Sequence, residues 1–247
     1  MEIESLELKT EKEYKEFLDY LFSIRDIGYR DFNTKIVVPV DCEIIGIRTP
    51  ILRDMAKKIA KTSSENFLNF FEKLFLKKKI KYYEEKVLYG FLIGYSKMDY
   101  QDRLKRIDFF INIIDNWAVC DIVDSSFKFI NKNKEDFYKY LNSKLSATNP
   151  WEQRFIFVML LAYYVEDKYL KDIFKICEKI KSEEYYVNMA KAWLLSVCYV
   201  KHREETYKFL EKTKLDAWTV NKAIQKIRES LRVTKEEKEK ILVLKRK

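Results

Sequence analysis

Glycine and proline are almost missing from this chain. Gly28, Gly46, Gly90 and Gly94, with Pro39, Pro50 and Pro150, are the whole complement in 247 residues. An average protein would carry roughly 7% glycine and about 5% proline. Sheets and long loops need both residues for turns of positive φ and for edges. A chain without them has room for little besides helices and short links. Lys, Glu, Leu, Ile, Phe and Tyr make up much of the rest, which suits amphipathic helices. With 47% hydrophobic residues a core can form. The length allows one large domain or two small ones.

The pattern along the chain agrees. Residues 10–26 read as an amphipathic helix with Tyr14, Phe17, Leu18 and Leu21 on one side. The stretch from Asp26 to Gly46 is the least helical and reads as an extended connector through Val37-Val38-Pro39-Val40. Thr49-Pro50 reads as an N-cap followed by proline at the first helical position, and Leu52, Met55, Ala56, Ile59 and Ala60 form the inner face beyond it. Asn149-Pro150 repeats the device, with Glu152 placed to close a capping box, and Thr234 with Glu237 caps the last helix. Further helices are expected over 64–76, 83–97, 100–114, 117–131, 135–146, 150–165, 168–181, 184–200, 203–212, 216–230 and 235–242. Links of only a few residues make neighbours antiparallel. The expectation is an all-α chain of HEAT-like helical hairpins, residues 1–247 as a single domain, stacked into a curved α-solenoid. A globular helical bundle is the rival, because no sequence repeat is visible.

The formal charge is +9 and the pI is near 9.1. Such an excess fits a polyanionic partner, although lysine also serves solubility. Cys42, Cys120, Cys177 and Cys198 lie far apart without CxxC spacing, so they read as buried thiols of a reducing cytosol. With a single histidine, His202, a zinc site is not expected. No N-terminal stretch resembles a signal peptide, and no apolar run approaches the ~18–20 residues of a membrane span. A soluble, cytoplasmic monomer without a membrane partner is expected.

Three clusters combine aromatic and polar residues. In Asn116-Trp117-Ala118-Val119-Cys120-Asp121-Ile122-Val123-Asp124, a helix would place Trp117, Cys120, Asp121 and Asp124 on one face. Two carboxylates beside an indole are unusual for a core-facing stripe, but a buried indole with capping or lysine-paired aspartates fits as well. In Trp151-Glu152-Gln153-Arg154, the arginine falls one turn into a helix, where the helix dipole offers it nothing. A phosphate or a carboxylate would explain it, and so would a plain salt bridge. In Met189-Ala190-Lys191-Ala192-Trp193, small residues flank an indole at mid-helix, which suits a core tryptophan packed over alanine. Trp218, His202 and Tyr82-Tyr83 suggest no chemistry by themselves.

Taken together these segments resemble the DNA alkylation repair proteins built from HEAT-like repeats. The likeness begins at Gly46-Ile47-Arg48-Thr49-Pro50-x-Leu52-Arg53 and continues through Tyr83-Glu84-Glu85-Lys86 and Gly90. It then runs through Asp121-x-x-Asp124, Trp151-x-x-Arg154 and Lys191-x-Trp193. The resemblance implies a solenoid holding double-stranded, alkylated DNA in its concavity, and an N-glycosylase that frees 3-methyladenine or 7-methylguanine without base flipping. It implies no metal or organic cofactor. It assigns catalytic roles to Asp124, as the carboxylate, and to Trp193, as an aromatic wall, and it makes Arg154 a backbone-phosphate contact. Lys191 and Arg48 are expected to join Arg154 in binding DNA. Active members carry a tryptophan one turn before the catalytic aspartate, where this chain has Cys120, so Trp117 is expected to stand in as a third catalytic residue. The departure at Cys120 also supports an alternative, a non-catalytic protein of the same fold that binds nucleic-acid structure.

Overall fold

The computed structural model describes residues 3–38 and 41–247. Among these residues run fourteen α-helices and no strand, so the all-α expectation holds. An isolated parallel bridge joins Glu43 and Tyr82. No helix among the described residues is long and apolar enough to cross a membrane. The chain divides into two compact units, Met1–Phe129 and Ile130–Lys247.

The first unit holds α1 (Glu11–Ser23), α2 (Ile27–Ile36), α3 (Thr49–Thr62), α4 (Ser64–Leu76), α5 (Tyr83–Tyr95), α6 (Tyr100–Ile113) and α7 (Trp117–Ile122). Its centre is α5, in which every residue from Tyr83 to Ile93 is buried. A helix enclosed on all sides is the one around which the others pack, and α3, α4, α6 and α7 all lie against it. Its charged first turn is buried with its partners in place. Glu84 accepts the backbone N–H groups of Ile45, Gly46 and Ile47 at 3.0, 2.7 and 3.1 Å. Glu85 accepts from Tyr14 Oη at 2.6 Å and from the N–H of Tyr82 at 2.9 Å. Lys86 pairs with Asp115 at 2.6 Å. Burial pushes both glutamate carboxyls upward, and these hydrogen bonds pull against it.

Two glycines decide how close the chain can return to α5. A Cβ at Gly90 would stand 2.5 Å from Val123 Cγ1, and one at Gly94 would collide with the side chain and carbonyl of Ser126. The segment Val123–Ser126 therefore sits flush on the helix. This is why the helix expected over 117–131 does not form: α7 ends at Ile122 and the chain continues as 3-10 turns, Asp124–Ser126 and Lys128–Lys132.

Other expectations are also corrected. The connector read between Asp26 and Gly46 contains a ten-residue helix, α2, capped by Asp26 through the N–H of Tyr29 at 2.9 Å. Val37 is buried beyond it, and Pro39-Val40 lie outside the described residues. The N-cap of α3 is Arg48, with Thr49 already helical and Pro50 second. Asn149 does cap its helix, through the N–H of Trp151, but Glu152 pairs with Lys144 at 3.0 Å. The box at Thr234 and Glu237 is present.

The second unit holds α8 (Lys134–Ser143), α9 (Pro150–Tyr163), α10 (Asp167–Lys179), α11 (Tyr185–Lys201), α12 (Arg203–Lys212), α13 (Ala217–Glu229) and α14 (Lys235–Lys240). Here α11 is the centre, packed against α9, α12 and α13. Each unit uses a buried cation to satisfy the carbonyls that a helix end leaves open. Arg103 donates to the carbonyls of Ile93 and Ser96 at the end of α5. Lys191 donates to the carbonyl of Ile180, just past α10, at 2.8 Å.

Candidate functional site

Asp124 is the first residue of the 3-10 turn seated on Gly90 and Gly94, and it is partly exposed. Its carboxylate accepts the N–H of Ser125. Arg53, from α3, reaches the same turn. Its Nη1 donates to Ser125 Oγ and to Tyr95 Oη, both at 2.9 Å, while the guanidinium lies 4.6 Å from the centre of the Phe91 ring. Lys57 lies one turn further along α3, with Nζ 5.6 Å from the Tyr95 ring centre. Burial raises the Asp124 carboxyl above its ordinary value, and the charge of Asp121 adds to this. The Ser125 hydrogen bond and the charge of Arg53 oppose it. The turn thus presents a carboxylate that burial and Asp121 push toward the neutral form, and that the Ser125 N–H and Arg53 hold toward the ionised one.

Trp117 opens α7 and is half-buried, and its indole N–H donates to the carbonyl of Ile36 at 3.1 Å. Cys120 is fully buried. Trp117 and Asp121, on the same short helix, remain partly exposed. The expected one-faced stripe is cut short because the helix stops before Asp124. Arg48 is exposed and held by Asp26 at 2.7 Å, with its guanidinium over the Tyr29 ring.

The expected residues of the second unit lie at different depths. Trp193 is half-buried and lines a groove of about 290 Å³ with Ser196, Lys201, Lys226 and Arg232. Arg154 is only 3% exposed, and its Nη1 donates to the carbonyl of Tyr186 at 2.6 Å. Lys191 is 2% exposed. Besides Ile180 it reaches Asn188 Oδ1 at 3.4 Å, and burial lowers its pKa. Residues 10–227 match the family model described as DNA alkylation repair enzyme.

The chain belongs to that family. No curated protein matches it. The match takes in both Asp124 and Trp193, and the family it defines is one of DNA alkylation repair. In this member of the family, the sequence gives no sign of where Arg53 goes. That residue stood in the sequence beside Leu52 without a role, because Tyr95 and Ser125, which fix it, lie 42 and 72 positions away. Gly94 was missed for the same reason: what it makes room for is Ser126, which no local pattern discloses.

Proposed function

We propose that this member of the family is a DNA N-glycosylase that releases cationic alkylpurines such as 3-methyladenine and 7-methylguanine from duplex DNA without flipping the base. The observation that carries the proposal is the exposed turn holding Asp124 beside Arg53 and Asp121. An N3- or N7-alkylated purine is already a cation. When its bond to C1′ breaks, the bonding electrons leave with the base and neutralise it, and positive charge develops on the deoxyribose, as in glycoside hydrolysis. An ionised Asp124 stabilises that charge, orients the water that attacks C1′ and takes its proton. Trp193 and Trp117 supply indole faces to the cation, worth about 0.5–2 kcal/mol each. Arg48 contacts phosphate from an exposed position. Arg154 does so by exchanging its bond to Tyr186, and Lys191 contributes charge while holding the end of α10. The stacking of HEAT-like hairpins into one solenoid belongs to the same proposal.

A single-turnover release assay on duplex DNA carrying 7-methylguanine tests it. Asp124→Asn should slow release by roughly 10²–10³-fold. Trp117→Ala and Trp193→Ala should each slow it several-fold, and all three variants should keep nearly unchanged affinity, because they act on charge that grows in the transition state. The burial of Cys120 favours a second reading, a non-catalytic DNA-structure binder, since the side chain at that position is enclosed in the core. Wild-type protein that binds DNA but releases no cationic purine would establish that reading instead.

A further inference from the structure

A separate groove of about 830 Å³ lies within the second unit, between α13 and the C-terminal segment. Its cations are Lys222, Arg228, Lys235, Lys238 and Lys245, against the carboxylates Glu229 and Glu239. Glu229 is occupied by Lys226 and Gln225, both at 2.8 Å, and Glu239 lies 3.4 Å from Arg228. Lys235, Lys238 and Lys245 have no ion-pair partner among the described residues. The far wall is anchored. Arg246 donates to the carbonyls of Leu210, Thr213 and Leu215, and its backbone N–H meets Asn221 Oδ1 at 2.9 Å. Lys245 is thereby held at the groove. Residues 228–247, which lie beyond the family match, hold eight basic and four acidic residues.

At one end of the groove stands Trp218, 40% exposed, with Lys222 Nζ 5.5 Å from its ring centre. Tyr185, 53% exposed, meets it edge-on at 5.4 Å. Tyr186 and Trp151 continue the aromatic run at 5.1 and 5.5 Å between successive centroids. We propose that this groove binds single-stranded nucleic acid, with phosphates along the lysines and an unpaired base stacked on Trp218. Lysines would serve any polyanion, and the exposed indole selects among them. Bases inside a duplex already stack on each other, whereas those of a single strand offer free faces to an aromatic platform. The site does not depend on the chemistry proposed for Asp124.

The test is fluorescence anisotropy of the full chain with a short labelled oligothymidylate, titrated at several salt concentrations. Trp218→Ala should weaken binding about ten-fold without changing the salt slope, and Trp218→Phe should restore most of it. Replacing Lys235, Lys238 and Lys245 together by alanine should lower the slope of log K against log salt by about 2, at roughly 0.7 per phosphate for a single strand. Asp124→Asn should bind the strand as wild type does, so failure of the glycosylase reading would leave this result standing. Undiminished binding by Trp218→Ala would overturn the proposal and leave a plain polyanion surface. So would unlabelled duplex that displaces the strand as well as unlabelled single strand does.

Discussion

The carboxyl of Asp124 is raised by burial and by Asp121 and lowered by Arg53. To stabilise a sugar cation it must be ionised. Activity should therefore be lost as pH falls through its pKa, at a higher pH than for a freely exposed aspartate. Arg53→Met removes the opposing cation and should shift the acid limb of the release rate to higher pH. Asp121→Asn removes the like charge and should shift it to lower pH. A limb that ignores both substitutions would assign the titration to another group. Motifs in the sequence pointed to Asp124 and Trp193 as candidates. Depth was not legible. Lys191 reads from sequence as a surface cation, yet its ammonium is spent on Ile180. What decides this is the arrival of α10 beside α11, which no spacing within α11 reports.

At the scale of elements, Gly94 is the sharpest test of how the site is positioned. Gly94→Ala would drive a methyl group into Ser126. Overpacking of this kind typically costs about 1–3 kcal/mol, and each kcal/mol lowers Tm by roughly 2–4 °C in a chain of this size. Calorimetry should show that loss, and release should fall further than stability does, because the displaced turn carries Asp124. An alanine there that changed neither Tm nor release would mean that the turn is seated by something else. Most helices could be read from periodicity and caps, and two regions could not. In α2 the apolar residues Ile27, Phe32 and Ile36 are exposed, so the pattern that reveals a helix is absent even though Asp26 caps it. In the segment after Trp117 the local pattern continues as helix, and tertiary contact with α5 ends it.

Across the whole molecule, each unit is organised around its own central helix, α5 in one and α11 in the other. The slowest-exchanging amides should accordingly fall in two separate clusters, within Val87–Ile93 and within Val187–Cys198, because opening either helix requires dismantling its unit. Protection confined to only one of these helices would show that the other unit opens readily. Helix content and basic charge were legible from composition alone, since glycine and proline are so scarce. Where the charge collects was not. The basic tail is visible in the sequence, but that it meets Lys222 and Trp218 of α13 in one groove appears only when Arg246 and Asn221 hold the tail against that helix.

The seating of the Asp124 turn on Gly90 and Gly94 has a consequence for engineering. The backbone at position 124 is located by what lies beneath the turn, at Val123 and Ser126, and the Asp124 carboxylate ties the turn further by accepting the N–H of Ser125. The turn behaves as a socket mounted from below, with Asp124 as a plug that also fastens to it through Ser125. Asparagine can keep the bond to Ser125 through its amide oxygen, which makes it the natural first step in changing the group presented on this scaffold.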